Sequence, residues 1–367
     1  MRFVAPSHMK SMREIYLRHV GSNVPRYTSY PTAAHFNEEV GEADYRNWLR
    51  QITPDDRLSL YFHIPFCESL CWYCGCHTSV PNGYGRVERY LDHLRQEIDR
   101  VADIVPEDHG GVMHLHFGGG SPTYLKPDDF RSLMAHIRRR FPLLPDAELA
   151  VEVDPRTLSG KMVEVFRDCG INRISLGVQD FNSDVQGLIN RRQPLDIVKE
   201  AVDKLRAAGI TALSFDLMYG LPGQTEASVI ETANRAIELD PDRMSVFGYA
   251  HVPWFKKNQR AIDESRLPGP IERFKQAEAI ARVLENGGYL PVGFDHFARP
   301  YDPLAFAIRR RRLRRNFQGY TDDTGTVLLG FGASAISTMP GGHVQNEPRP
   351  EVYGKAIEAG RLPIVRG

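Results

Sequence analysis

The sequence predicts an α/β fold in which six parallel strands curl into a partial (β/α)6 barrel of the TIM type. An N-terminal arm precedes the barrel and a short C-terminal extension follows it. Three observations carry that prediction. Short β-rich runs alternate with longer segments of 3.6-residue apolar spacing, which implies parallel βαβ units with right-handed crossovers. Residues suited to chemistry stand at the C-terminal end of nearly every predicted strand: Gly118-Gly119-Gly120, Glu152-Val153-Asp154, Gln179-Asp180, Asp216 and Ala250-His251. In a barrel those ends meet at one mouth, whereas an open sheet would string them along an edge. Finally, 367 residues with 42% apolar and 25% charged side chains suffice for one large core or two modest ones, which excludes disorder as the main state.

The elements follow in order. The first fifty residues read as an arm and a short helix at 41–51, and within the arm the run 25–32 alternates prolines with aromatics and cannot be helical. Strands are predicted at 59–64, 112–117, 149–153, 173–178, 212–218 and 243–249. Helices are predicted at 87–101, 130–140, 195–208 and 228–239. Beyond residue 260 the pattern loosens into a helix at 271–286, a short strand at 290–294 and a basic, irregular stretch. The expected organisation is an arm and helix over 1–55, the barrel over 56–260, and a barrel-completing, substrate-side extension over 261–367.

Charge and hydropathy narrow the function. Forty-six basic and 46 acidic side chains cancel, so the chain lacks the global positive field of a nucleic-acid binder. No apolar run approaches the ~18–20 residues of a membrane span. The N-terminus has no continuous apolar segment of the secretory kind. The expected setting is the cytoplasm, with neither nucleic acid nor membrane as a partner.

Four of the five cysteines, Cys67, Cys71, Cys74 and Cys76, crowd into ten residues directly after the first strand. A disulfide scaffold would spread its cysteines through a short secreted chain. Clustered thiols in a reducing compartment argue instead for metal. Three thiolates in one short loop, Cys67-x3-Cys71-x2-Cys74, can wrap three corners of a 4Fe-4S cubane and leave the fourth iron open for chemistry. The competing reading is a zinc knuckle completed by Cys76 or His77. Such sites usually pair C-x2-C with a second separated pair, and none is present here. Cys169, alone in a helical stretch, reads as a small core residue. Gly118-Gly119-Gly120 suits close backbone approach to a ligand or a plain tight turn. Glu152 suits either a ligand contact or a barrel salt bridge.

The cysteine loop after the first strand, with an aromatic Tyr73 before its last cysteine, resembles the radical S-adenosylmethionine superfamily. The closer resemblance, from about residue 20 to 366, is to the oxygen-independent coproporphyrinogen III oxidases. It is carried by Tyr61-Phe62-His63-Ile64-Pro65-Phe66-Cys67, Cys74-Gly75-Cys76, Gly118–Thr123, Glu152-Val153-Asp154-Pro155-Arg156 and Gly177-Val178-Gln179-Asp180-Phe181. Asp216–Pro222, Phe294–Pro300, Asn316–Tyr320 and the arm at 25–32 extend it.

The resemblance implies that Cys67, Cys71 and Cys74 hold a 4Fe-4S cluster, with Cys76 present but not a ligand. It implies two S-adenosylmethionine molecules, the first bound to the open iron and cleaved by one electron to a 5′-deoxyadenosyl radical. Tyr61, Gly119, Glu152 and Ile336 match the positions that contact the first. Tyr73, Gly120, Ser121, Gln179, Arg191, Asp216 and Ala250 match those that contact the second. The implied reaction is the anaerobic decarboxylation of two propionates of coproporphyrinogen III to vinyls, giving protoporphyrinogen IX for haem biosynthesis. An electron donor such as a flavodoxin or ferredoxin, and a monomeric state, are implied with it. Arg26, Arg299 and the arginines of 309–315 are candidates by charge for the four propionates, although the run at 309–315 reads more simply as a solvated helical face or a local anion patch. The resemblance also implies a mostly helical C-terminal domain over the substrate cleft, beginning near residue 367. Shorter relatives handle haem instead, so a non-catalytic haem-binding or haem-transfer protein is the alternative reading. Those relatives usually lack the Cys-Gly-Cys ending and the 25–32 arm, both present here.

Overall fold

The computed structural model describes residues 14–15, 18–21, 31–317 and 319–367. Arg26, most of the 25–32 arm and Gln318 lie outside the described residues. A helix α1 (Glu42–Arg50) leads into β1 (Leu58–Ile64), and the strand-helix rhythm then runs as expected. It passes through α2 (Gly85–Ala102), β2 (Val112–Gly119), α3 (Pro127–Arg140), β3 (Leu143–Val153), α4 (Gly160–Asp168) and β4 (Arg173–Gln179). It continues through α5 (Ser183–Leu188), α6 (Leu195–Ala207), β5 (Ala212–Tyr219), α7 (Glu226–Glu238) and β6 (Arg243–Gly248). These six strands lie side by side in chain order, every neighbouring pair parallel.

The C-terminal third departs from the sequence reading. After α8 (Pro270–Asn286), the strands β7 (Leu290–Val292) and β8 (His296–Ala298) close the β6 edge antiparallel. The stretch expected to be irregular contains a helix α9 (Pro303–Arg309) and a small ribbon of β9 (Arg314–Arg315) with β10 (Tyr320–Thr321). It then forms β11 (Val327–Phe331), which pairs parallel with β1 as a seventh parallel strand. From there β12 (Ile336–Met339), β13 (Gly342–Asn346) and β14 (Ile364–Arg366) extend the sheet antiparallel, with helix α10 (Pro350–Glu358) between the last two. β7 is the short strand expected at 290–294; the other strands here, of two to five residues, are too short to show a period, which is why the sequence pattern missed them. β3 likewise begins at Leu143 rather than 149, because Pro145 and Asp146 mask its start.

Neighbouring strands sit ~4.8 Å apart, so the ends of six flat strands would span roughly 24 Å. Here Cys67, Gly119, Glu152, Gln179, Asp216 and Phe247, from the ends of all six, line one cavity of about 360 Å3. The sheet is therefore curled, and the partial barrel follows.

Side-chain alternation along these strands divides two environments. Leu60, Phe62, Leu115, Phe117, Leu149, Val151, Ile174, Leu176, Leu213, Phe215, Met244 and Val246 join the apolar layer under the helices. Those helices bury stripes at helical spacing, such as Phe130, Leu133, Met134 and Ile137 of α3. The alternate positions face the lumen and are polar: Ser59, His114, His116, Glu148, Glu152, Arg173, Ser175, Ser214, Asp216, Arg243 and Ser245. Ion pairs close its far end, with Arg173 Nε on Glu148 at 2.7 Å and Arg243 Nε on both oxygens of Asp302 at 2.8 Å.

One buried carboxylate ties the C-terminal strands to the barrel. Glu97 of α2, 2% exposed, accepts hydrogen bonds from the Gly332 N–H (2.7 Å), Asn346 Nδ2 (2.6 Å) and Tyr353 Oη (2.7 Å). Burial nevertheless wins over these donors and pushes its pKa up to about 7. A folded-state pKa above the ~4.3 of an exposed glutamate means protons bind the folded chain more tightly. That stability is complete below pH ~4.3 and is lost as pH rises through about 7. In urea titrations, the Glu97→Gln variant is expected to remove a loss on the order of 2 kcal/mol between pH 5 and 8. Parallel pH profiles for the two proteins would contradict this assignment.

Candidate active site

The cysteine loop leaves β1 at Ile64 and has no regular structure of its own, so its backbone groups are satisfied from elsewhere. Cys67 N–H donates to Ser79 O and Ser79 N–H to Pro65 O, both at 3.0 Å. Asn258 Nδ2 donates to the carbonyls of Cys71, Trp72 and Cys74 at 3.2, 3.1 and 3.0 Å. Gln259 Nε2 holds Tyr73 O at 2.9 Å, and Asn190 Nδ2 holds Leu70 O at 3.0 Å. The loop is thus pinned to the segments after β6 and α5, with the thiols of Cys67, Cys71, Cys74 and Cys76 facing the cavity.

Each thiol has its own surroundings. Cys67 Sγ lies 3.1 Å from Thr78 Oγ1, and burial pushes that thiol up to about 11. Cys74 Sγ receives the Cys76 N–H at 3.4 Å, and its hydrogen bonds from Cys76 pull it below the usual thiol value. Cys71 is 7% exposed, with Arg191 Nη1 at 3.4 Å and Arg156 Nη2 at 3.7 Å from its sulfur. Among the described residues no three His, Cys, Asp or Glu side chains are close enough together to hold one metal ion. Three thiols of one loop lining one cavity suit the corners of a polynuclear cluster.

The glycine run closes the cavity beside this loop. Gly119 has φ +108°, and a Cβ there would stand 2.5 Å from the His63 imidazole. At Gly118 it would stand 2.6 Å from Glu152 Oε1, and at Gly120 2.6 Å from Phe66 O. Without side chains, this strand end leaves Glu152 free to reach the cavity. Glu152 Oε1 accepts from His116 Nε2 at 3.0 Å and Oε2 from the Gly119 N–H at 3.1 Å. Burial would raise its pKa, but the hydrogen bond and charge of His116 outweigh it and hold the carboxyl below the usual range.

Of the residues singled out in the sequence, Tyr73, Gly119, Gly120, Ser121, Glu152, Gln179, Arg191, Asp216 and Ala250 line this same cavity with the three cysteines. Gln179 reaches it from a register shift at the end of β4, with φ +66°. Burial and then the Glu152 charge push Asp216 up to about 6, and Ser175 Oγ donates to it at 3.1 Å. Tyr61 and Ile336 are not in the cavity lining. They flank Gly330 instead: Tyr61 is its register partner, and Ile336 lies against its backbone. A second cavity of about 330 Å3 continues down the lumen and shares Glu152, Ser175, Asp216 and Phe247. Both volumes fall within the ~300–1,000 Å3 of small-molecule sites.

Other candidates lie elsewhere. Arg299 stacks 4.0 Å from the Tyr289 ring, donates to Gly287 O at 2.7 Å and pairs with Asp240. Arg309–Arg312 and Arg314 are exposed, as a solvated face would be, and Arg315 pairs with Asp295 at 3.3 Å. Cys169 caps α4 and is 7% exposed, a core residue as read. The sequence reading gave no role to Arg156, His116, Asn258 or Gln259. The alternation His114-Leu115-His116 marks one of them as inward-facing, whereas the two amides carry no local signal.

Residues 61–236 match the radical SAM superfamily. The chain is 52% identical over 344 residues to an oxygen-independent coproporphyrinogen III oxidase of Bradyrhizobium diazoefficiens, spanning 94% of this chain and 76% of that protein. It is 43% identical over 343 residues to the protein of that name in Escherichia coli K12, at 94% and 74% coverage. The structure of Escherichia coli coproporphyrinogen III oxidase, described as a radical SAM enzyme, superposes with a TM-score of 0.89 at 42% identity. It covers 93% of this chain and 78% of that one.

The glycine geometry gives a direct test. Gly119→Ala is expected to lower the unfolding free energy by roughly 1–3 kcal/mol through strain at positive φ, with the His63 clash in addition. Gly83 shares a positive φ (+88°) but has open space around it, so Gly83→Ala serves as control. Equal losses in the two variants would show that His63 does not confine the turn.

Proposed function

The chain belongs to the oxygen-independent coproporphyrinogen III oxidases of the radical SAM superfamily, and from that membership we propose how its own residues serve the reaction. The reaction is the anaerobic oxidative decarboxylation of two propionates of coproporphyrinogen III, yielding the vinyls of protoporphyrinogen IX in haem biosynthesis. One observation carries the residue assignment: the three thiols of one loop and the functional ends of six strands share a single cavity. The relatives at 52% and 43% identity are oxidases, so the haem-transfer alternative gains nothing from them.

Cys67, Cys71 and Cys74 would hold the 4Fe-4S cluster as thiolates. When bound, the cluster and S-adenosylmethionine supply a one-electron reductant and a carbon-centred radical able to take hydrogen from an unactivated carbon. The protein binds, orients and excludes water. Glu152, fixed by His116 and the Gly119 N–H, keeps carboxylate lone pairs for the amino or ribose groups of a first S-adenosylmethionine. Tyr61 and Ile336, which flank Gly330 outside the cavity lining, are assigned to the same molecule by their matching positions in the sequence alone. Tyr73, Gly120, Ser121, Gln179, Arg191, Asp216 and Ala250 would serve a second. For that second molecule, buried Arg191 offers an Nε that has no hydrogen-bond partner. The apolar walls Met218 and Phe247 keep water from a reactive intermediate.

Monomeric action in the cytoplasm with a flavodoxin or ferredoxin as donor completes the reading. Among the described residues no helix is long and apolar enough to cross a membrane.

An anaerobic assay of the iron- and sulfide-reconstituted chain tests it. With reductant and S-adenosylmethionine, 5′-deoxyadenosine and CO2 are expected to rise together, and only when coproporphyrinogen III is present. Neither product at full iron content would refute the oxidase reading for this chain. Cys67→Ala is expected to abolish both products and lower the iron bound per chain. Glu152→Gln weakens a charge-assisted contact worth ~1.5–3 kcal/mol, so KM for S-adenosylmethionine should rise roughly 10- to 100-fold. An unchanged KM would remove Glu152 from the binding site.

A further inference from the structure

Arg156 and Arg191 converge on the sulfur of one cysteine only. Arg156 sits in the turn Pro155–Thr157 after β3, its Nε 3.0 and 3.2 Å from the two oxygens of Asp154 and its Nη2 2.6 Å from one of them. Arg191 follows α5, with Nη1 3.2 Å from Asp154 Oδ2 and Nη2 2.6 Å from Gly177 O. Held this way, both guanidiniums direct a nitrogen at Cys71 Sγ, at 3.7 and 3.4 Å. The sulfurs of Cys67 and Cys74 instead meet a hydroxyl and a backbone N–H.

The charge arithmetic is uneven. Two cations share one carboxylate: Arg156 is half-buried, whereas Arg191 is buried at only 6% exposed. An uncompensated buried cation is costly, so the site calls for a further negative charge on the side of Cys71. A cluster held by thiolates supplies it, and supplies more of it after gaining an electron. Hydrogen bonds to ligand sulfurs and nearby positive charge both favour the reduced cluster.

We propose that Arg156, clamped by Asp154, is a positioning residue that raises the reduction potential of the cluster through the Cys71 sulfur, with Arg191 acting beside it. The inference rests on the cluster assignment under the proposed function. It concerns a single electron passing from an external chemical reductant to the oxidised cluster, with no bond made or broken.

The test is a redox titration, not turnover. The reconstituted parent chain, Arg156→Met and Arg156→Lys are titrated anaerobically with dithionite and dye mediators, without S-adenosylmethionine. The electron paramagnetic resonance signal of the reduced cluster is followed against potential. Arg156→Met is expected to make reduction at least tenfold less favourable, a shift of about 59 mV to the negative. Arg156→Lys, which keeps the charge, should recover part of it. A fully loaded Arg156→Met at the parent's potential overturns the inference and leaves the proposed function standing. If that variant does not hold a full cluster, Arg156→Gln is titrated in its place under the same criterion. A parent chain that takes up no cluster overturns the proposed function, and this inference with it.

Discussion

The polar inner face of the barrel is the constraint on which the rest of the structure depends. Barrels of this general kind usually fill their interior with layers of branched apolar side chains. Here His116, Glu152, Ser175, Asp216 and Ser245 occupy such positions, and the lumen stays open as two joined cavities. The interior cannot then supply the hydrophobic stabilisation, which must come from the layer between strands and helices. Phe62, Phe117, Phe130, Phe166 and Phe331, all essentially unexposed, form that layer. At its far end the lumen is closed by ion pairs among Glu148, Arg173, Arg243 and Asp302. Ligand space therefore lies towards the mouth, where the cysteine loop and the glycine run meet.

A second constraint is the irregular cysteine loop. Loops usually turn unsatisfied carbonyls to water. This one presents its thiols inward, so its carbonyls are bound by Asn258 and Gln259 from the opposite side of the mouth. The same pairing that satisfies the backbone also fixes where three sulfurs point. Position and redox environment are thus set by different neighbours, amides for the one and guanidiniums for the other.

How much of this was legible in the sequence varies with distance along the chain. The six barrel strands were legible because each carries its own period. In Arg173-Ile174-Ser175-Leu176-Gly177-Val178-Gln179 the alternation is strict, although buried parallel strands usually read as continuous apolar runs. That alternation is itself the signature of a polar lumen. The cysteine spacing and the strand-end residues were legible because the chemistry is local. The antiparallel strands β12–β14 were not, since four residues such as Ile336–Met339 carry no period and owe their place to the Glu97 network. The roles of Arg156 and Asn258 were hidden for a related reason: their partners are 85 and 184–187 residues away.

The seam between β11 and β1 also bears on how the chain is made. β1 emerges early in synthesis, yet its second neighbour, β11, is encoded almost 270 residues later, as the Leu58–Val327 pairing shows. The amides that pin the cysteine loop arrive nearly 190 residues after it, and the Gly332 contact to Glu97 spans 235. Contacts this distant in sequence form late and slowly. Until they form, the three thiols sit on a loop held by Ser79 and Asn190 but not yet by the amides that bind the carbonyls of Cys71, Trp72, Tyr73 and Cys74. The window in which an iron–sulfur cluster can be delivered correctly thus opens only near the end of folding.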